Sequence, residues 1–167
     1  IPLQLARRLP AESIRINSPA TSVTNESVTL ANGSVLQGSR VVIATQASQT
    51  STLVPEFSSR APDWRSVTNV YYSADKSPLN EPIIALNGSN EGLINNVCVP
   101  SDVSPHYAPT GKSLISVSLL GTHRDEGIPA TVKNELAAWF GDDTHDWRHL
   151  RTDLIKHALP EQAPETN

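Results

Sequence analysis

The sequence predicts an α+β chain: a mixed, mostly antiparallel sheet with helices packed on it. Three observations predict it. Short apolar runs that alternate or are continuous recur along the chain, separated by Asn-Gly, Gly and Pro turns. One stretch, 128–140, has helical spacing, with Val132, Leu136 and Phe140 four residues apart. The order of elements is helix, small sheet, linker, four-stranded stretch, helix and final strand, which suits a sheet covered by helices.

Pro2 opens an amphipathic helix over 2–9, with Leu3, Leu5, Ala6 and Leu9 as its apolar members and Arg7 and Arg8 near its C-terminal end. Pro10 stops it. Ile14-Arg15-Ile16 alternates as a short strand, and Val23 belongs to the strand that follows. Ser27–Leu30 and Ser34–Gln37 form a hairpin about Ala31-Asn32-Gly33, because Asn and Gly both tolerate positive φ. Val41-Val42-Ile43 is a continuous apolar run, as expected of a strand buried on both faces. From 46 to 63 the chain is polar and broken by Pro55 and Pro62, which reads as a short helix or turn and a linker.

A second sheet starts near Trp64. Its strands are expected over Ser66–Ala74, Pro82–Leu86, Leu93–Val99 and Ser113–Leu120, with Asn87-Gly88 as a turn. Ile128–Phe140 is the clearest helix, with Pro129 in its first turn and Gly141 at its end. The segment 147–159 is ambiguous between helix and strand, and the reading leans to a strand over part of 150–159. A polar, Pro-containing tail occupies 160–167.

The 167 residues suffice for one domain or two small ones. The net charge of −4 gives no argument for nucleic acid. One cysteine, Cys98, rules out an internal disulfide. No apolar run reaches the roughly 18 residues of a membrane span, and IPLQLARRLP lacks the apolar core of a signal peptide. A soluble cytoplasmic or organellar location is favoured over secretion, with the compartment itself unknown. The chain has no methionine and opens inside a helical pattern, which suggests a piece of a longer polypeptide; a trimmed small protein is the alternative.

The stretch SVTLANGSVLQGSRVVIAT resembles the middle of FAD-dependent amine oxidase and phytoene desaturase-like enzymes. In that family a hairpin leads through an A-x-x-V-V-x-A-T pattern back into the flavin domain. IPLQLARRLP is similar to a family helix beside the flavin. WRSVTNVYYSAD, GKSLISVSLLG, NELAAWFG and WRHLRTDLIKHALP resemble successive parts of the substrate domain. The resemblance covers roughly residues 1–160 and rests on the arrangement more than on any one motif. It implies a partial FAD-binding-domain segment with a small hairpin over 1–47, a linker over 48–63, and a substrate-domain sheet and helix over 64–159. Departures from the pattern matter equally. The chain has no G-x-G-x-x-G turn for the pyrophosphate, no matched acidic residue for the ribose and no late G-D motif after a buried strand.

The resemblance implies an intact FAD-dependent oxidoreductase that moves hydride from an apolar or amine-bearing substrate to flavin N5, with the cofactor carrying the redox chemistry. The chain alone is expected neither to bind FAD nor to turn over. The partners implied are a small-molecule substrate and the remainder of the FAD domain. A non-catalytic binding module derived from the family is the alternative, and a purely structural β-rich domain is the third reading.

Candidate cofactor contacts are Val23, through backbone groups toward the adenine, and Ala44 and Thr45, where the apolar run ends near the flavin. The plain readings are hairpin packing for Val23, and an ordinary strand end with Thr45 or Ser48 as helix cap. Tyr71, Tyr72 and Trp64 are candidate substrate-pocket residues. Adjacent tyrosines on a strand face opposite ways, so one of them faces core or pocket and the other faces out. Histidines 106, 123, 145 and 149 match no compact ligand motif, and no metal site is expected. Cys98 in an apolar run reads as a small buried hydrophobe. The sequon asparagines Asn32 and Asn87 read as turn residues.

Overall fold

A computed structural model describes residues 2–60, 63–89 and 91–162. The chain divides into two compact units, 1–62 and 63–167.

The first unit opens with helix α1 (Pro2–Ala6) and a 3-10 turn at Ala11–Ser13. Its sheet is an antiparallel meander of β1 (Ala20–Val23), β2 (Ser27–Leu30) and β3 (Val35–Gln37). The Asn32-Gly33 turn joins β2 to β3. Gly33 has φ +81°, and the Asn32 side-chain oxygen accepts from the Ser34 N–H at 3.0 Å. Helix α2 (Ala47–Leu53) and a 3-10 segment (Pro55–Arg60) follow. The stretch expected to be a linker, 48–63, is therefore folded over most of its length; Pro62 lies outside the described residues.

Three expectations fail in this unit. The first helix stops at Ala6, short of Leu9, and leaves Leu3, Leu5 and Leu9 exposed. Ile14–Ile16 forms no strand. Ser13 is still in the 3-10 turn and Asn17 takes a left-handed φ of 55°, so the extended stretch between them is too short to reach a partner. Val41–Ile43 is not a buried strand either. It forms no strand and pairs with none of the described strands, and Val42 is 87% exposed. Backbone donors and acceptors make a strand only when a neighbour answers them, and none of the three strands here does.

The second unit is a five-stranded sheet in the order β5-β6-β7-β4-β8. Its strands are β4 (Trp64–Ala74), β5 (Ile84–Leu86), β6 (Ile94–Cys98), β7 (Ser113–Leu120) and β8 (Arg148–Pro160). Every pairing is antiparallel, in keeping with the mostly antiparallel sheet expected. The ambiguous segment is a strand from Arg148 onward. It includes Pro160, which pairs with Trp64. Glu161 continues the contact by donating its N–H to Asp63 O and pairing with Arg65. The expected tail thus starts later than 160, and residues 163–167 lie outside the described residues. Asn87 does serve as a turn residue: its side-chain oxygen accepts from the Ser89 N–H, and its amide donates to Glu91 O and Ile94 O.

Helix α4 (Ile128–Phe140) packs on one face of this sheet. Val132 and Leu136 are fully buried against Val70, Tyr72, Val97, Ile115, Val117 and Leu119. Short helix α3 (Pro100–Val103) lies by β7, where the Ser101 hydroxyl accepts from the Leu114 N–H. β6 begins at Ile94, which pairs with Leu119, and a bulge follows between Ile94 and Asn96. Glu135 on α4 answers the N–H groups of Leu93 and Ile94, at 2.9 and 3.1 Å. The same carboxylate fills the space a side chain on Gly92 would need, and Gly92 has φ +77°. Sequence, turn and helix are locked together at this corner.

Candidate functional site

In the first unit, Val23 lies at the end of edge strand β1. The Thr24 N–H donates to Ser27 O at 2.9 Å, so 24 and 27 are a hydrogen-bonded pair. By the antiparallel alternation Val23 and Val28 are a non-bonded pair, and Val23's own N–H and C=O point away from β2, to the outer side of the edge strand. A groove of about 670 Å3 runs past this point, lined among others by Val23, Arg40, Val41, Ile43, Val54 and Phe57. The hairpin valine and the apolar run therefore meet on one surface. Ala44 and Thr45 follow directly and are exposed. Thr45 does not cap α2 through its side chain. Its hydroxyl lies 3.3 Å from Gln46 O and 3.1 Å from the Thr50 hydroxyl, and Gln46 occupies the N-cap without a side-chain bond. The Ser48 hydroxyl is buried and has no hydrogen-bond partner among the described residues.

In the second unit, the three aromatic candidates do not converge. Tyr72 is fully buried on the α4 side. Its hydroxyl donates to Pro129 O at 2.6 Å, and its ring packs near Trp147 and His149. Burial pushes the Tyr72 phenol above its ordinary range. Trp64 stands at the far end of the same strand, about 23 Å from Tyr71 at the rise of an extended chain, with its ring 5.1 Å from that of His157. Tyr71 is the tyrosine that faces away from α4.

Helix α4 does not cover that second face. Two adjacent rows cross it. One runs Ile84, Cys98, Ser116, Tyr71, Arg151; the other runs Leu86, Asn96, Ser118, Asn69, Asp153. Ile84, Leu86 and Leu120 are largely exposed at its margins. Asn69 is buried and hydrogen-bonds both serines: its amide donates to Ser116 Oγ at 2.9 Å and accepts from Ser118 Oγ at 2.7 Å. Arg151 is paired with Asp153 through two contacts of 2.7 and 2.6 Å, which raises the guanidinium further. Beside the rows a hollow of about 290 Å3 is lined by Tyr71, Leu114, Leu150, Arg151 and Asp153. A bulge between Tyr71 and Tyr72 places Leu150 there as an extra residue of β8.

Sequence reasoning missed Asn69, Ser116 and Ser118. The available signal was period-two polarity: Ser116 and Ser118 alternate with Ile115, Val117 and Leu119, and Asn69 sits in a β-branched run. Cys98, read as a buried hydrophobe, is half-exposed on this face. Among the described residues no group of three or more His, Cys, Asp or Glu side chains is placed to hold a metal. No helix of the described residues is long and apolar enough to cross a membrane.

Three solved structures share this architecture. The reduced form of UDP-galactopyranose mutase aligns with a TM-score of 0.68, with 10% identity over 95% of this chain and 38% of its own. A protein from Pyrococcus furiosus aligns at 0.63, with 11% identity over 85% of this chain and 37% of its own. An oxidoreductase from Methanosarcina mazei aligns at 0.56, with 13% identity over 82% and 36%. The chain thus spans little more than a third of each of these proteins. No curated protein matches it in sequence. The family model described as flavin containing amine oxidoreductase matches residues 1–165, and the chain belongs to that family.

Proposed function

We propose that this chain is the substrate-side portion of a flavin-dependent oxidoreductase, joined to a short segment of its FAD-binding domain. The observation that carries the reading is the one-sided sheet of the second unit. Helix α4 covers one face, and the other presents Tyr71, Ser116, Ser118 and a hollow beside them. A family whose chemistry belongs to a cofactor needs such a wall to hold substrate against it.

The first unit fits FAD in part. Val23 offers backbone groups on the outer side of an edge strand, and the adjoining groove leads to Ala44 and Thr45. The unpartnered Ser48 hydroxyl next to them is a polar group that a further contact would satisfy. The unpaired Val41–Ile43 run is expected to gain its strand neighbours from the remainder of the FAD domain. The residues present include no glycine-rich turn for the pyrophosphate, so this chain by itself is expected to leave FAD unbound. When bound, the flavin would supply the hydride-accepting redox chemistry. The residues of this chain orient the substrate and exclude water.

The test is an absorbance scan of the natural polypeptide that contains this chain, with its intact mass. Flavin bands in a substantially longer polypeptide support the reading. A colourless polypeptide that stays unchanged on addition of FAD overturns it.

A further inference from the structure

We propose that the open face of the second unit selects a substrate bearing a neutral group with a hydrogen-bond donor and acceptor on neighbouring atoms, of which a primary amide is the simplest. This rests on the reading that the face is the substrate wall.

The argument starts from Asn69. Its buried amide uses one end on each serine. Ser116 Oγ accepts from Asn69, so the Ser116 hydroxyl hydrogen is free to donate outward. Ser118 Oγ donates to Asn69, so its lone pairs are free to accept. An amide flip would exchange the two roles and leave the pair complementary. One serine donates and the other accepts in either case.

The two serines are alternate residues of β7 and share one face, about 7 Å apart along the strand. An amide bridging two hydrogen bonds of about 2.9 Å each spans that gap. An ion is not what this surface asks for, because the nearest charges, Arg151 and Asp153, neutralise each other. The hollow of Tyr71, Leu114 and Leu150 lies beside Ser116, which is opposite Tyr71, and takes an apolar or aromatic body attached to the polar group. A pure hydrocarbon fills the hollow and leaves the outward donor and acceptor of the two serines unanswered, which opposes its binding.

The test uses the whole 167-residue chain labelled with 15N and two probes of similar size, benzamide and toluene. Benzamide is expected to shift the amide resonances of Ser116, Ser118 and Tyr71 in a saturable way, and toluene to shift them far less. Ser116→Ala should raise the benzamide dissociation constant about two- to tenfold, the worth of one hydrogen bond, while Ser116→Thr, which keeps the hydroxyl, restores it. Equal shifts with toluene overturn the proposal, as does a Ser116→Ala chain that is folded by its spectrum and binds benzamide unchanged. These readings involve no flavin, so a failed flavin scan and a failed probe titration are separate results.

Discussion

Replacing Glu135 by alanine tests the corner that fixes β6 to α4. At the start of β6 the Glu135 carboxylate accepts from the N–H groups of both Leu93 and Ile94. Hydrogen bonds to a charged acceptor contribute about 1.5–3 kcal/mol each. Ile94 is buried and Glu135 only half so, which lets water take over part of the role in the variant. The expected loss is therefore about 2–4 kcal/mol, below the full sum of two such bonds. Glu135→Gln keeps one oxygen and should lose about half as much. The assay is urea unfolding followed by tryptophan fluorescence. All three tryptophans, Trp64, Trp139 and Trp147, lie in the second unit, so the signal reports on that unit alone. The reasoning is refuted if Glu135→Ala unfolds within about 0.5 kcal/mol of the parent, the range of an ordinary surface substitution.

Three further outcomes follow from the same structure. Gly92→Ala should cost about 1–3 kcal/mol, because φ is +77° and the new side chain meets Glu135; combined with Glu135→Ala the loss should be less than additive in the same urea assay. Leu136→Ala removes a fully buried side chain between α4 and the sheet and should cost about 2–5 kcal/mol in that assay. Tyr72 carries a raised pKa, so its folded-state contribution is complete below the unfolded tyrosine value near 10 and fades as pH rises beyond it. Tyr72→Phe should flatten the alkaline decline measured in unfolding midpoints from pH 8 to about pH 11, and an unchanged slope would count against the buried phenol.

Much of the second unit was legible where an element carries a local signal that its tertiary partners reinforce. The period-two pattern of 113–120 matches β7, and the spacing of Val132, Leu136 and Phe140 matches α4. Segment 147–159 was ambiguous because its apolar residues satisfy two periods at once. Two bulges in the β4–β8 ladder break the alternation that would have marked it as a strand. Val41–Ile43 has the composition of a buried strand, but composition does not supply a hydrogen-bonding neighbour. For the candidate site, the opposition of Tyr71 and Tyr72 was readable from alternation, and their assignment to the open and core faces was not. That choice is set by the register of β4 on β7, where Tyr72 opposes Ile115 and Tyr71 opposes Ser116. The Asn69–Ser116–Ser118 group joins residues 47 and 49 positions apart, and no window along the chain contains it.

The central claim is that the face opposite α4 looks onto the reacting centre. It is tested most directly by a crystal structure of the full natural polypeptide grown with FAD. The account predicts a flavin ring that shares one cavity with Tyr71, Ser116 and Ser118. A flavin ring on the α4 side of the sheet, or a serine face sealed by protein with no opening to the ring, would contradict it.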